Sequence, residues 1–245
     1  STDAKLTATE GNVNLKGGLK AGTGDASIGA SASSVSANNG NITVTGASDS
    51  AVGNVASENG AVSISTDRGH ISFTGTASAG TILGVTNTTS GTITVTGNLK
   101  TTGASAENAI TVQTAGGSDD KITLNKAATG EVTDVLTTKK GNATVNSGAA
   151  ALSMQGDADV GGALALTTTT GAINIGTGTS AGYDVTGGST SVTSTSGVIT
   201  AYGSINSDGA SGNTLVQTQN ASTLTKESTA STVLSSTHGN VTVKP

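Results

Sequence analysis

Apolar and polar residues alternate in short runs along this chain, and most of the runs open on a glycine. The clearest is Gly91-Thr92-Ile93-Thr94-Val95-Thr96-Gly97-Asn98-Leu99. Alternation at period two predicts a strand with one dry face and one wet face. Nearly the same phrase recurs at Gly11-Asn12-Val13-Asn14-Leu15, Gly40-Asn41-Ile42-Thr43-Val44, Gly60-Ala61-Val62-Ser63-Ile64 and Gly141-Asn142-Ala143-Thr144-Val145. It returns at Gly162-Ala163-Leu164-Ala165-Leu166, Gly171-Ala172-Ile173-Asn174-Ile175 and Gly239-Asn240-Val241-Thr242-Val243.

Successive main strands lie about 20 to 30 residues apart, with a preference for the low twenties. Shorter alternations fall between them: Leu83-Gly84-Val85, Ala109-Ile110-Thr111-Val112, Val132-Thr133-Asp134-Val135-Leu136, Leu152-Ser153-Met154 and Leu215-Val216. Each period therefore reads as strand, turn, strand, turn and a third short strand. That is one coil of a parallel β-helix. One coil buries almost nothing, whereas stacked coils bury a continuous column at roughly 4.8 Å per rung. About eleven coils are expected, a rod on the order of 50 Å long.

Polar residues lead into most main strands and end on a glycine, as in Glu58-Asn59-Gly60, Thr169-Thr170-Gly171 and Thr237-His238-Gly239. The expectation is one kind of corner, with each glycine at positive φ. No segment carries the 3.6-residue apolar period of a helix, and Thr, Val, Gly and Asn form helices poorly. The stretch from Asn206 to Ser236 is the weakest match and reads as a long excursion or an irregular coil. With no shift of composition or linker, residues 1–245 read as one domain, complete or part of a longer rod.

Composition narrows the interior. Aromatic residues are only 1% of the chain, so a core must be built from Val, Ile, Leu and Ala, which suits a thin repetitive column. Gly, Ser, Thr and Asn dominate, yet the ordered alternation and a net charge of only −5 argue against disorder. The one proline is Pro245, as continuous strand pairing requires. There is no cysteine, hence no disulfide and no thiolate metal site. No apolar run approaches the roughly 20 residues of a membrane helix. No signal peptide opens the chain, so an exported protein would be present here in mature or excised form. A pI of about 4.8, and no basic cluster beyond Lys139-Lys140, argue against nucleic acid.

Gly40-Asn-Ile-Thr-Val-Thr-Gly46 and Gly97-Asn-Leu-Lys-Thr-Thr-Gly-Ala104 resemble the repeats of filamentous-haemagglutinin-like adhesins, exported by two-partner secretion in Gram-negative bacteria. The resemblance covers most of Gly11 to Gly203 and is one of style, shared by other secreted β-helices. It implies an all-β fold, a right-handed parallel β-helix (β-solenoid), secreted or at the cell surface. The family's secretion domain carries Asn-Pro-Asn motifs. This chain has no internal proline, so the resemblance implies stalk rather than secretion domain.

Candidate chemistry is sparse. Asp67-Arg68-Gly69-His70 is the one cluster of mixed type and holds the only arginine. It could act as an acid/base pair, but no second carboxylate set sits at a matching rung, and a solvated corner is the better reading. Asp119-Asp120 after Gly116-Gly117-Ser118 echoes a calcium-binding repeat in a single copy, which favours a polar turn. Asp157 and Asp159 would point one way on a strand, yet two ligands fall short of a cation's shell. Outward threonines at Thr43, Thr94 and Thr144, with Thr92 and Thr96, suggest an ice-binding array. Unequal coils argue against it and favour hydroxyls bonded between rungs. Asn-x-Ser/Thr triplets at Asn41, Asn87, Asn142, Asn220 and Asn240 are read as turn residues. Catalytic, cofactor and metal residues are therefore expected to be none, and no enzyme is expected. The expected role is a structural rod segment of a bacterial adhesin. The alternative is a self-assembling subunit of an extracellular filament or surface layer. Partners would be a receptor or glycan on a host or neighbouring cell, or further copies end to end, with no nucleic acid and no membrane insertion.

Overall fold

The computed structural model describes residues 5–8, 13–16, 26–28, 34–37, 40–46, 50–127, 133–176, 183–225 and 233–244. Gly11, Asn12, Val132 and Pro245, named above, lie outside them. The chain is a parallel β-solenoid, and no helix occurs among the described residues. Every strand pair is parallel, and each strand pairs with the equivalent strand one turn on.

Three faces result. The first stacks Val13–Lys16, Ile42–Gly46, Val62–Arg68, Leu83–Ser90, Ile110–Gln113 and Ala143–Asn146. It continues through the later halves of Asp157–Thr168 and Tyr183–Ser194 to Thr214–Thr218 and Val241–Lys244. The second face includes Ile71–Phe73, Ile93–Thr96, Ile122–Asn125, Leu152–Gln155 and Ile173–Ile175. The third includes Asn54–Ser57, Thr76–Ala79, Asn98–Thr101 and Asp134–Thr138. Three long strands, Asp157–Thr168, Tyr183–Ser194 and Ile199–Ser207, bend round a corner and serve two faces each.

Along the first face, the register passes from Ile42 to Val62, Leu83, Ile110, Ala143, Leu164, Thr190 and Thr214, which is seven turns. Backbone pairing adds one turn from Val13 to Ile42 and one from Thr214 to Val241. That makes nine turns among the described residues against the eleven expected, because several coils are longer than the low twenties. The surplus is looped out at corners, as at 102–109 and 114–121, while the strands keep their register.

Like stacks on like inside. Ile71, Ile93, Ile122, Leu152, Ile173 and Ile199 form one buried column, and Phe73, Val95, Leu124, Met154, Ile175 and Ala201 form the next. Phe73, fully buried, is the one phenylalanine of the chain. Burial of such side chains at about 25 cal/mol per Å² is the main driving force, and it accrues turn by turn. The interior turns polar late in the chain. Thr190 and Thr214 take the places held earlier by Ile and Leu, and their hydroxyls donate to Asn206 O at 2.5 Å and Ser235 O at 2.6 Å. These bonds satisfy hydroxyls that would otherwise be costly to bury.

The expected single corner is two. The openings at Gly40, Gly60, Gly141, Gly162 and Gly239 enter the first face, and those at Gly91, Gly171 and Gly197 enter the second. Their glycines are also required for a different reason than expected. Of these only Gly91 has positive φ, 133°. At Gly60, Gly141, Gly171, Gly197 and Gly239 a Cβ would fall on a backbone carbonyl of the neighbouring turn. A serine hydroxyl three residues earlier completes several of these corners. Gly60 N donates to Ser57 Oγ at 2.9 Å, Gly197 N to Ser194 Oγ at 2.8 Å and Gly239 N to Ser236 Oγ at 2.8 Å.

The described residues of the stretch Asn206–Ser236 keep to the coil. They carry Thr214–Thr218, Ser222–Thr225 and Leu234–Ser236, one on each face. Their apolar signal is weak because Thr and Ser replace aliphatic residues at inward positions.

Candidate functional site

The singled-out residues fall mostly at corners, where their side chains tie one turn to the next. Asp67 and His70 flank the corner glycine Gly69, whose φ is 95°. Asp67 Oδ1 accepts from Thr89 Oγ1 at 2.5 Å and from Thr88 Oγ1 at 3.3 Å, both on the following turn. The Thr89 hydroxyl above all holds the Asp67 carboxyl below its ordinary value, with Thr88 and Arg68 adding to it against the opposing effect of burial. His70 Nδ1 lies 2.8 Å from Thr92 Oγ1 and accepts the Thr92 N–H at 3.3 Å. Both residues brace the next turn, a geometry that accounts for the cluster without acid/base chemistry.

Asp119 and Asp120 part company. Asp119 is exposed, whereas Asp120 is only 4% exposed and accepts backbone N–H groups from Gly117 and Gly91, each at 2.7 Å. Asp157 and Asp159 lie on the third face, where Asp157 registers with Asp134 and Asp159 with Thr137. Asp157 Oδ1 also accepts the Asp184 N–H at 2.8 Å, and Asp184 accepts from Ser204 Oγ. Asp134, Asp157 and Asp184 thus mount one edge of the rod. Burial, with the Asp157 and Asp159 charges, pushes the Asp134 carboxyl above its ordinary value. The sequence reading missed this row because its members are 23 and 27 residues apart and only the register unites them.

The asparagines have a shared role that the turn reading missed. Asn41 Oδ1 accepts the N–H of Ala61, Asn142 Oδ1 that of Ala163, and Asn213 Oδ1 that of Asn240, each at 2.8 Å. Each sits just before the first inward residue of a first-face strand, and its partner is the equivalent residue one turn on. Asn54 does the same for Thr76 on the third face at 2.9 Å. Asn220 donates through Nδ2 to Ser196 O, again across a turn. Asn87 is buried inside the corner.

The outward threonines are divided between faces. Thr43 and Thr144 lie on the first, and Thr94 on the second. The second-face row through Thr94 runs Ser72, Thr94, Thr123, Ser153, Asn174, Thr200 and Thr223, in register without a bulge. Coil inequality is therefore absorbed at corners and does not reach this row. Where threonine hydroxyls bond between turns, the acceptor is often a backbone carbonyl, as for Thr102 to Ala79 O and Thr167 to Val145 O.

Shallow depressions mark the surface. One is lined by Gly162, Ala163, Gly188, Ser189, Gly212 and Asn213 with their neighbours, another by Thr193, Ser194, Thr195, Gln217 and Gln219. Neither gathers a titratable side chain. No group of three or more His, Cys, Asp or Glu fit to hold a metal occurs among the described residues. Comparison with protein-family models, with curated proteins and with solved structures finds no match.

Proposed function

We propose that this solenoid is a structural rod segment of a secreted or cell-surface bacterial adhesin, holding a binding region away from the cell. The observation that carries the reading is the unbroken aliphatic column from Val44 to Val216, built from turns that pair only with their neighbours. Such a column resists bending and transmits load through many parallel hydrogen bonds in series. The resemblance of Gly40–Gly46 and Gly97–Ala104 to adhesin repeats supplies the biological setting, and a receptor or glycan on another cell would be the partner of the whole assembly. The reading requires no catalysis.

Electron microscopy and small-angle scattering of the purified chain test it. Short unbranched particles about 45 Å long, nine turns at the rung spacing, are the expected result. A compact particle, or release of product from an acidic glycan, would overturn it. A second reading is a subunit that stacks end to end, its exposed strand edges pairing with further copies. Long fibres that grow with protein concentration would support that reading over the first.

A further inference from the structure

Four buried side-chain oxygens among the described residues have no hydrogen-bond partner: Asn87 Oδ1, Asn98 Oδ1, Thr101 Oγ1 and Thr114 Oγ1. Two of them belong to residues stacked on consecutive turns. Asn87 is 1% exposed and Thr114 is 3% exposed. Each directly follows a registered pair, Thr86 with Gln113, on consecutive turns of the first face.

The orientation of Asn87 is fixed by its partners. Nδ2 donates to Thr66 Oγ1 at 3.0 Å and to Gly69 O at 2.9 Å, both on the preceding turn. A carbonyl can only accept, so the nitrogen must lie on that side. Oδ1 is thereby the end of the amide that is left without a partner.

Asp120 lies on the turn of Thr114 and reaches back. Its Oδ2 accepts from Gly117 N within its own turn, while Oδ1 accepts from Gly91 N on the turn of Asn87. Gly91 is close to Asn87, since a Cβ there would meet Asn87 Nδ2 at 2.9 Å. An amide oxygen and a hydroxyl without partners, and a carboxylate, therefore belong to the same two consecutive turns. The two N–H groups use one acceptor site on each Asp120 oxygen, and a carboxylate has about four, so further sites are left for a cation.

We propose that this corner binds a calcium ion through the Asp120 carboxylate, Asn87 Oδ1 and Thr114 Oγ1, with water completing the shell. The donor set is oxygen alone, which suits a hard cation and gives zinc nothing soft to hold. Calcium accepts irregular sets of neutral oxygens, whereas magnesium demands a tight octahedron. One carboxylate makes the site weak, in the range of about 10⁻⁴–10⁻³ M found for extracellular modules. The bound ion would clamp the corner where the chain leaves the regular coil to form the 114–121 loop.

The test uses the whole chain after EDTA treatment, followed by titration calorimetry and thermal unfolding with CaCl2, with MgCl2 and NaCl as controls at matched ionic strength. A saturable heat and a rise in Tm specific to calcium are expected. Thr114→Val removes only a hydroxyl that has no partner among the described residues. It should fold with an unchanged circular dichroism spectrum and bind calcium on the order of tenfold more weakly. Asp120→Asn should abolish the response. No calcium-specific heat or Tm shift up to about 10 mM would overturn the proposal. So would a calcium response that Thr114→Val leaves intact, since the ion would then lie elsewhere and a water would suffice at this corner.

Discussion

Asn142 Oδ1 accepts the backbone N–H of Ala163 at 2.8 Å, across one full turn of the solenoid. The side chain does for the turn above what a ladder carbonyl does inside a strand, and it begins the pairing one residue before Ala143 meets Leu164. Asn142→Ala leaves that N–H to water and should cost about 1 kcal/mol, the net worth of such a bond. Asn142→Asp keeps the acceptor and should cost less. Urea midpoints of the two variants against the parent check the ordering.

Ile122 tests the stacked core. It is fully buried and lies in register between Ile93 and Leu152. Ile122→Ala should cost about 2–5 kcal/mol, the spread depending on how far the neighbouring rungs close over the gap. Because each turn touches mainly the turns beside it, the loss should be uneven along the chain. Hydrogen exchange should quicken most at Ile93–Thr96 and Leu152–Gln155 and least in distant turns. Uniform quickening would mean that the rod unfolds as one unit.

The acidic edge makes a prediction about pH. The Asp134 carboxyl is raised above its ordinary value by burial and by Asp157 and Asp159, so the folded chain holds this proton more tightly than the unfolded one. Its contribution to stability is full below the unfolded value and is lost as pH rises through the folded value. Asp134→Asn removes that penalty. The variant should melt higher than the parent at pH 7, and the gap should narrow as pH falls toward the ordinary carboxylate range. Thermal melts at several pH values read the sign directly. A variant that melts lower at pH 7 and gains on the parent as pH falls would show that the charge is favourable where it sits.

Much of the strand pattern was legible because inward positions of the solenoid obey period two without exception over runs such as Ile93–Val95 and Ile122–Leu124. The strand at Thr214–Thr218 was visible only as Leu215-Val216, and its true inward residues are Thr214, Val216 and Thr218. Buried threonine is indistinguishable from surface threonine until its hydroxyl's partner is known. The polar pairings were hidden for a different reason. Asp67 with Thr89, Asn87 with Thr66 and Asp134 with Asp157 depend on how many residues each corner loops out, and that number varies from coil to coil. The glycines were recognised as corner residues, but the reason for most of them lies in the turn beside them and not in their own dihedral angles.

Two glycines separate that reason from glycine content as such. A Cβ on Gly141 would fall on the carbonyl oxygen of Asn108, backbone that cannot move aside. Gly141→Ala should therefore cost about 3 kcal/mol or more, the upper range for overpacking. Gly84 stands in the strand Leu83–Ser90, outward between Ser63 and Thr111, with nothing within 4 Å of its absent Cβ. Its φ is outside the left-handed range. Gly84→Thr would continue the hydroxyl row across the gap and lower the backbone entropy lost on folding, a gain of up to about 1 kcal/mol. Melting temperatures that move in opposite directions for the two variants are the expected result. Equal losses would mean that glycine content as such, and not the approach of the neighbouring turn, sets the cost.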